Sequence, residues 1–572
     1  MPALLLGVAI FTLWPSWREL GSVIPGDPTS DAYDHLWGYW WWAHALRNLQ
    51  NPLVDTLSHQ PPGGALWFVD PLNALLAAPL QAVMSTATAT TVVLTGQVWL
   101  TLIAGWLGLR RDSPLGAPAA AILIGAGAYV VGLLQSGVYE FVAIGPVAAF
   151  YYAVRSGVRP SVCALLWFLA ALANFYYAAF AGLLAVVVLA EGRTTARRLL
   201  TIGIIALPAI AALAALAYTT LSADDAVVRP ETAPSWSQGN FPAVDPASFL
   251  RWGSWYFPEN ARMGNFGIVH VAYVGWAAIT FALVGIAGRG WPRRLVTLAL
   301  AIGVASGPAL AWNQQPVRVS GHDVWLPMAL LYFPGSPMKF VHHPYRLVVV
   351  LLIAMSPLVA RGVQMVTSRL PGPLAAPLAV TIGLLFVVET HTISPAHAAV
   401  TDSRRSPTAP VDPDPFTLAA ASDPLVTGIF NFPPDAHRLN RRYEMLAIFH
   451  HKQIPYGVNS FLPDGWQRNG FVLALLACLD QPQRYGIGRD GGPPPRAWFD
   501  RTGLKAPAPP PAEIAAGERD LRAQGYSHVV LTGAFGQNAC LRRVEETYSG
   551  REGEPGVWEL RVPEQGRRRR GR

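Results

Sequence analysis

Asp31, Asp34 and His35 stand three and four residues apart, so on a helix they share one face. A carboxylate there could take the proton of an attacking hydroxyl, or hold a divalent cation (Mg or Mn) against a diphosphate. Glu140, in the short run SGVYE, is an acid from a second loop. If it converges with Asp31 over one cavity, the two make a general-base or metal-binding pair. Trp37, Trp40, Trp41 and Trp42 follow directly and would wall such a site. The bland alternative is that these acids are simply solvated in loops that exclude basic residues.

Two further stretches could bind an anionic, sugar-bearing ligand. SPMKFVHHPYR carries Lys339, His342, His343 and Arg346 just before an apolar stretch, where a lipid-linked phosphate would meet the membrane surface. Arginine suits phosphate because its planar fork binds bidentately. The alternative is snorkelling of a helix-end cation to the headgroups. WGSWYFPENARMGNFG offers Trp252, Trp255 and Tyr256 as a sugar-stacking platform and Arg262 as a phosphate contact, or else interfacial aromatics and a solvated charge. His450 and His451 lack a cysteine or acid at ligand spacing and read as surface or core histidines.

The elements that position these groups are membrane helices. The 572 residues are 52% hydrophobic and only 14% charged, well below the quarter usual in soluble proteins, which points to lipid as the main solvent. The net charge of +8 sits in short Arg-bearing loops and a terminal GRRRRGR tail rather than on one basic face, so nucleic acid is not indicated. Residues 1–20 have neither the basic leader nor the cleavage site of a signal peptide and read as a first, short transmembrane helix. Further apolar stretches lie near 88–109, 115–134, 141–154, 161–190, 199–219, 269–287, 295–312, 347–360 and 373–390. The stretch 161–190, interrupted at Asn174, reads as two short helices joined by a turn, which makes about eleven crossings.

Arginines occupy every second loop, at Arg110/Arg111, Arg155/Arg159, Arg193/Arg197/Arg198, Arg289/Arg293/Arg294 and Arg361/Arg369, and mark those loops as cytoplasmic. The remaining loops then lie outside with most of the acids, among them Asp31, Asp34, Asp70 and Glu140. The N-terminus falls inside and the C-terminal region outside. Three external loops, 21–87, 220–268 and 313–346, exceed what a helix connection needs. DAYDHLWGYWWWAHALRNL in the first predicts a helix along the outer interface, and 71–84 a re-entrant or interfacial helix. No internal repeat is evident, which argues against transporters built from repeated halves.

From 391 the composition turns to Pro, Asp, Ser and Arg, reading as a linker to about 415. Strands within VTGIFNFPP, YSHVVLTG and VWELRVP, with helices within RRYEMLAIFHH and AEIAAGERDLRAQ, predict an extracytoplasmic α/β domain over 416–563. Residues 564–572 read as a disordered basic tail, in reach of anionic lipid or glycan. Cys478 and Cys540 could pair if that region faces an oxidising compartment.

One span, a long external loop opening on an acid, about ten further spans and an extracytoplasmic α/β domain together resemble the GT-C superfamily of membrane glycosyltransferases. Asp31-Ala32-Tyr33, followed by aromatics and by Gln60-Pro61-Pro62-Gly63-Gly64, is similar to the first external loop of the oligosaccharyltransferase catalytic subunit. The whole looks closer to uncharacterised bacterial members with a D-x-x-x-H-x-W-like loop, an external Glu before the fourth span and a Pro-Tyr-Arg lead-in to a late span. The resemblance implies a donor sugar on polyprenyl phosphate and transfer at the outer face of a bacterial inner membrane. It makes Asp31 the leading catalytic or metal-binding acid, supported by Asp34, with Glu140 as second-loop acid and Arg346 as phosphate contact. The outer region lacks a WWDYG-type signature, which argues against peptide as acceptor. The alternative is a non-catalytic relative that binds lipid-linked glycan or scaffolds envelope assembly. A secondary transporter is disfavoured, because the apolar stretches carry almost no ionisable residues.

Overall fold

The computed structural model describes residues 1–28, 31–58, 63–223, 246–250, 272–288, 290–312, 315–331, 344–389, 408–432, 439–455, 469–478, 509–531, 540–541, 544 and 557–560. The chain forms two compact units. One comprises Met1–His35, Phe68–Tyr218 and Glu231–Pro410; the other comprises Leu36–Trp67, Thr219–Pro230 and Val411–Arg572.

The helices, in chain order, begin with α1 (Pro2–Thr12), α2 (Trp14–Arg18), α3 (Ala32–Arg47), α4 (Pro71–Leu80) and α5 (Thr86–Leu109). Next come α6 (Ala117–Gly125), α7 (Ala128–Gln135), α8 (Gly145–Arg155), α9 (Pro160–Ala173) and α10 (Phe175–Ala190). They close with α11 (Ala196–Leu221), α12 (Trp276–Ile286), α13 (Trp291–Ala305), α14 (Val348–Thr367) and α15 (Gly372–Val388). Among the described residues, four stretches are long and apolar enough to cross a membrane: α5, α6 with α7, α11 and α14. Six shorter helices, α1, α4, α9, α10, α12 and α15, are apolar too.

Local chemistry sets the breaks. Residues 1–20, expected as one span, are divided at Leu13 with Pro15 just inside α2. The 11 residues of α1 rise only about 16 Å against a hydrocarbon core of about 30 Å, so α1 alone falls short of a crossing. The expected break in 161–190 falls at Asn174, whose side chain accepts from the Tyr176 amide to cap α10. The second helix packs back on the first, with Trp167 Nε1 donating to the Ala178 carbonyl at 2.8 Å.

Small residues let the central helices approach closely, as expected where lipid removes the hydrophobic drive between them. Gly285 of α12 and Gly362 of α14 face each other's backbones. A methyl on Gly362 would overlap the Phe281 carbonyl, and one on Gly285 the Leu358 carbonyl. Strand Val23–Pro25 pairs antiparallel with Thr408–Pro410, and Tyr33 Oη donates to the Pro410 carbonyl at 2.6 Å.

In the second unit, strand His528–Leu531 is central. It pairs parallel with Ile429–Phe432 and antiparallel with Val557–Glu559. Helices Leu439–His450, Gly470–Ala477 and Pro511–Ala523 accompany the sheet. Phe430, Phe432, Tyr443, Leu475, Leu521 and Val529 form the core, and Cys478 and Cys540 are joined in a disulfide.

Trp37 and Trp41 of α3 are fully buried and stack in parallel at 6.0 Å, and Trp40 and Trp42 are also buried. Trp41 Nε1 donates to the Pro52 carbonyl at 3.1 Å. Trp40 stacks on His44 and lies 5.2 Å from His451. The quartet is buried, with Pro52 and His451 among the groups packed against it. His450 is buried, and its Nδ1 accepts from the Lys452 amide.

Candidate functional site

Four segments of the first unit bring their polar side chains together. The first turn of α3 supplies His35, the residue before α4 supplies Asp70, the short turn Tyr139–Phe141 supplies Glu140, and the turn Pro344–Leu347 ahead of α14 supplies Arg346. His35 Nε2 lies 2.9 Å from Glu140 Oε2 as an ion pair, and His35 Nδ1 lies 3.7 Å from Asp70 Oδ2. Arg346 reaches Glu140 Oε1 at 4.0 Å, and its guanidinium lies over the Phe141 ring, 3.7 Å from the centroid.

Every member of this set is buried, Asp70 fully and the others to within 8% exposure. Behind Asp70 the network continues, with Asn73 Nδ2 donating to Asp70 Oδ2 at 3.0 Å and Gln97 Nε2 donating to Asn73 Oδ1 at 2.7 Å. Tyr139 and Phe68 flank the His35 ring at 5.2 and 5.8 Å.

Burial alone would drive these groups neutral. It lowers the His35 pKa, but the Glu140 hydrogen bond and the charges of Glu140, Asp70 and Asp31 outweigh it, so the imidazole is held above its ordinary 6.5. Burial likewise raises Glu140, but His35 and Arg346 hold its carboxyl below 4.5. The result is a buried ion pair.

Its contribution to stability is fully present below the ordinary His value and is lost as pH rises through the raised His35 pKa. The Glu140 contribution is present above the ordinary Glu value and is lost as pH falls through its lowered pKa. Thermal midpoints measured across pH are therefore expected to plateau between about 4.5 and 6.5 and to fall on both sides. In His35→Gln the high-pH fall disappears. An unchanged high-pH limb in that variant would contradict the pairing.

Asp31 is half-buried, its carbonyl accepts the His35 amide at 3.1 Å, and its charge acts on His35. Asp34 is buried on the same turn. The proposed ligands Trp255, Arg262, His342 and His343 lie outside the described residues, as do Lys339, Trp252 and Tyr256.

For Asp31 and Glu140 as metal ligands, the structure shows what surrounds Glu140. Among the described residues no group of three or more His, Cys, Asp or Glu is placed to hold a metal ion. Glu140 turns both carboxylate oxygens toward cations, His35 and Arg346, so the set as it stands does not fit a divalent ion.

Asp70, Asn73 and Gln97 were not singled out from the sequence. Asp70-Pro71 at the head of an apolar run reads as a helix cap. Its carboxylate makes no cap hydrogen bond and is instead turned on Asn73 and His35.

No known family matches the chain, and no curated protein does. Solved structures similar to it include the Archaeoglobus fulgidus oligosaccharyltransferase in the apo form, with 13% identity, 96% of this chain and 72% of that one covered, and TM-score 0.45. The Archaeoglobus fulgidus oligosaccharyltransferase AglB in complex with an inhibitory peptide and a dolichol-phosphate matches at 12% identity, with 99% and 74% covered and TM-score 0.44. Arabinofuranosyltransferase AftD from Mycobacteria matches at 17% identity, with 93% of this chain but 36% of that one covered and TM-score 0.43. Similarity at this level carries no chemistry with it, so the chemistry has to come from the residues.

Proposed function

We propose that the chain is a membrane glycosyltransferase that moves a sugar from a polyprenyl-phosphate-linked donor to an acceptor hydroxyl at the outer face of a bacterial inner membrane. The observation that supports it best is the convergence of His35, Asp70, Glu140 and Arg346 from four segments beside the half-buried Asp31. Such a buried polar set is expensive to assemble and belongs where charge must be managed.

In this reading the acceptor oxygen attacks the anomeric carbon of the donor, and its proton passes to the Asp31 carboxylate. The bond from the anomeric carbon to the phosphate oxygen breaks, and polyprenyl phosphate leaves. Arg346 meets the phosphate as its charge grows. Protonated His35 adds positive potential beside the leaving group. Glu140 and Asp70 are positioning residues that hold the imidazole charged and oriented, and Asp34 supports the acidic turn. Trp255, Arg262, His342 and His343, which lie outside the described residues, are proposed as donor-binding from the sequence alone.

The topology proposed with it has about eleven crossings, an inside N-terminus and an outside C-terminal α/β domain. The disulfide Cys478–Cys540 favours an oxidising compartment for that domain.

A second reading, a non-catalytic protein that binds lipid-linked glycan or scaffolds envelope assembly, is favoured by one observation. Glu140 already faces two cations, His35 and Arg346, as in a purely structural network. Kinetics with a synthetic polyprenyl-phosphate sugar separate the two. Arg346→Lys keeps a charge for Glu140 but loses the fork, and is expected to raise the donor KM about tenfold or more. A donor KM unchanged in Arg346→Lys would overturn the assignment of the phosphate.

A further inference from the structure

The opposite end of the first unit holds a second charged feature that the proposed transfer does not use. Arg346 precedes α14 and Arg361 lies 15 residues on, which places them about 22 Å apart along the helix. Around Arg361 opens a cavity of about 540 Å³, lined by Arg155, Arg193, Arg293, Arg294 and Arg361 with Asp112 and Glu191.

Both acids are committed to Arg155, Asp112 Oδ2 to its Nη1 at 2.9 Å and Glu191 Oε2 to its Nε at 3.0 Å. Among the described residues no acid pairs with Arg193, Arg293 or Arg361. Arg294 has Arg361 and Arg193 as like-charged neighbours, and with Arg361 it is held on the last carbonyls of α12, at Ile286 and Ala287.

The surroundings are shaped for these guanidinium groups. Gly192 and Gly288 have φ of +68° and +89°, and a side chain there would come within 3.1 Å of Arg293 and 3.2 Å of Arg361. Thr297, 3% exposed, lines the same cavity, and among the described residues its hydroxyl has no hydrogen-bond partner. A cluster of like charges around an unsatisfied hydroxyl is costly unless an anion joins it.

We propose that this cavity binds a phosphate-bearing anion, the guanidinium groups of Arg293 and Arg361 clasping the phosphate oxygens and the Thr297 hydroxyl donating to one of them. The volume suits a headgroup-sized ligand, and basic pockets at helix ends are where membrane proteins hold anionic phospholipid. The shared chemistry is the phosphate, whether it arrives as a phosphodiester of the adjoining leaflet or as a soluble phosphate.

The full-length protein tests this without any transfer assay. One arm places it in nanodiscs of phosphatidylcholine with or without phosphatidylglycerol and reads retained lipid by native mass spectrometry. The other titrates inorganic phosphate and pyrophosphate in detergent and reads the thermal midpoint. Binding in either arm that is weakened about ten- to hundredfold by Arg293→Gln with Arg361→Gln supports the site, and the responding arm identifies the source. Thr297→Val, which leaves every charge in place, is expected to weaken the same arm by a smaller factor. Binding in neither arm, or binding equal in native protein and all variants, overturns the proposal.

Discussion

Glu140→Gln is expected to destabilise the protein by about 3 kcal/mol, at the low end of what breaking a buried ion pair costs. The variant leaves the His35 imidazole and Arg346 without the carboxylate charge that faces them, both in a largely buried site. Asp70, 3.7 Å from His35, offsets part of the loss, and the imidazole can shed its proton as pH rises. The double variant Glu140→Gln with His35→Gln removes the charge as well as the partner and should recover much of the stability. A double-mutant cycle by chemical unfolding in detergent reads that coupling directly. Strictly additive effects would mean that the pair observed at 2.9 Å carries no energy.

The second large effect lies away from the site. Gly362→Leu is expected to cost about 3 kcal/mol or more and to leave little monodisperse protein in detergent. Its first side-chain atom would overlap the Phe281 carbonyl of α12, and a backbone carbonyl cannot rotate aside as a side chain can. Because α14 begins directly after Arg346, a displaced α14 also moves the cation of the site. Gly303→Leu on α13 is the control: nothing lies within 4 Å of a Cβ there, and the substitution should be close to neutral. Equal yields and thermal midpoints for the two variants would refute the close α12–α14 crossing.

What could be read from the sequence was whatever local spacing encodes. Asp31, Asp34 and His35 at helical intervals, Glu140 in its short turn, Arg346 ahead of an apolar run and the break at Asn174 all declare themselves within a few residues. Asp70, Asn73 and Gln97 do not, because apart from the Asn73–Asp70 hydrogen bond their contacts reach residues 24 or more positions away. The burial of the α3 tryptophans is equally hard to read from spacing. A run of aromatics suits a membrane interface and a packed core equally, and only the segments that fold over it decide between them. The α1–α2 break shows the converse, since a single proline at position 15 outweighs an otherwise continuous apolar run. Strands in IFNF, HVVL and VWE were legible as strands, whereas the parallel pairing of the first two was not, because register across about a hundred residues leaves no local trace.

We propose that Asp31 and its buried neighbours carry out sugar transfer. Its most direct test is the rate at which the purified protein in proteoliposomes releases polyprenyl phosphate from a polyprenyl-phosphate-linked sugar in the presence of acceptor glycan, native against Asp31→Asn. Release coupled to sugar transfer is expected from the native protein, with release about a hundredfold slower in Asp31→Asn at nearly unchanged donor KM. No release by the native protein, or the same rate in Asp31→Asn, would contradict it.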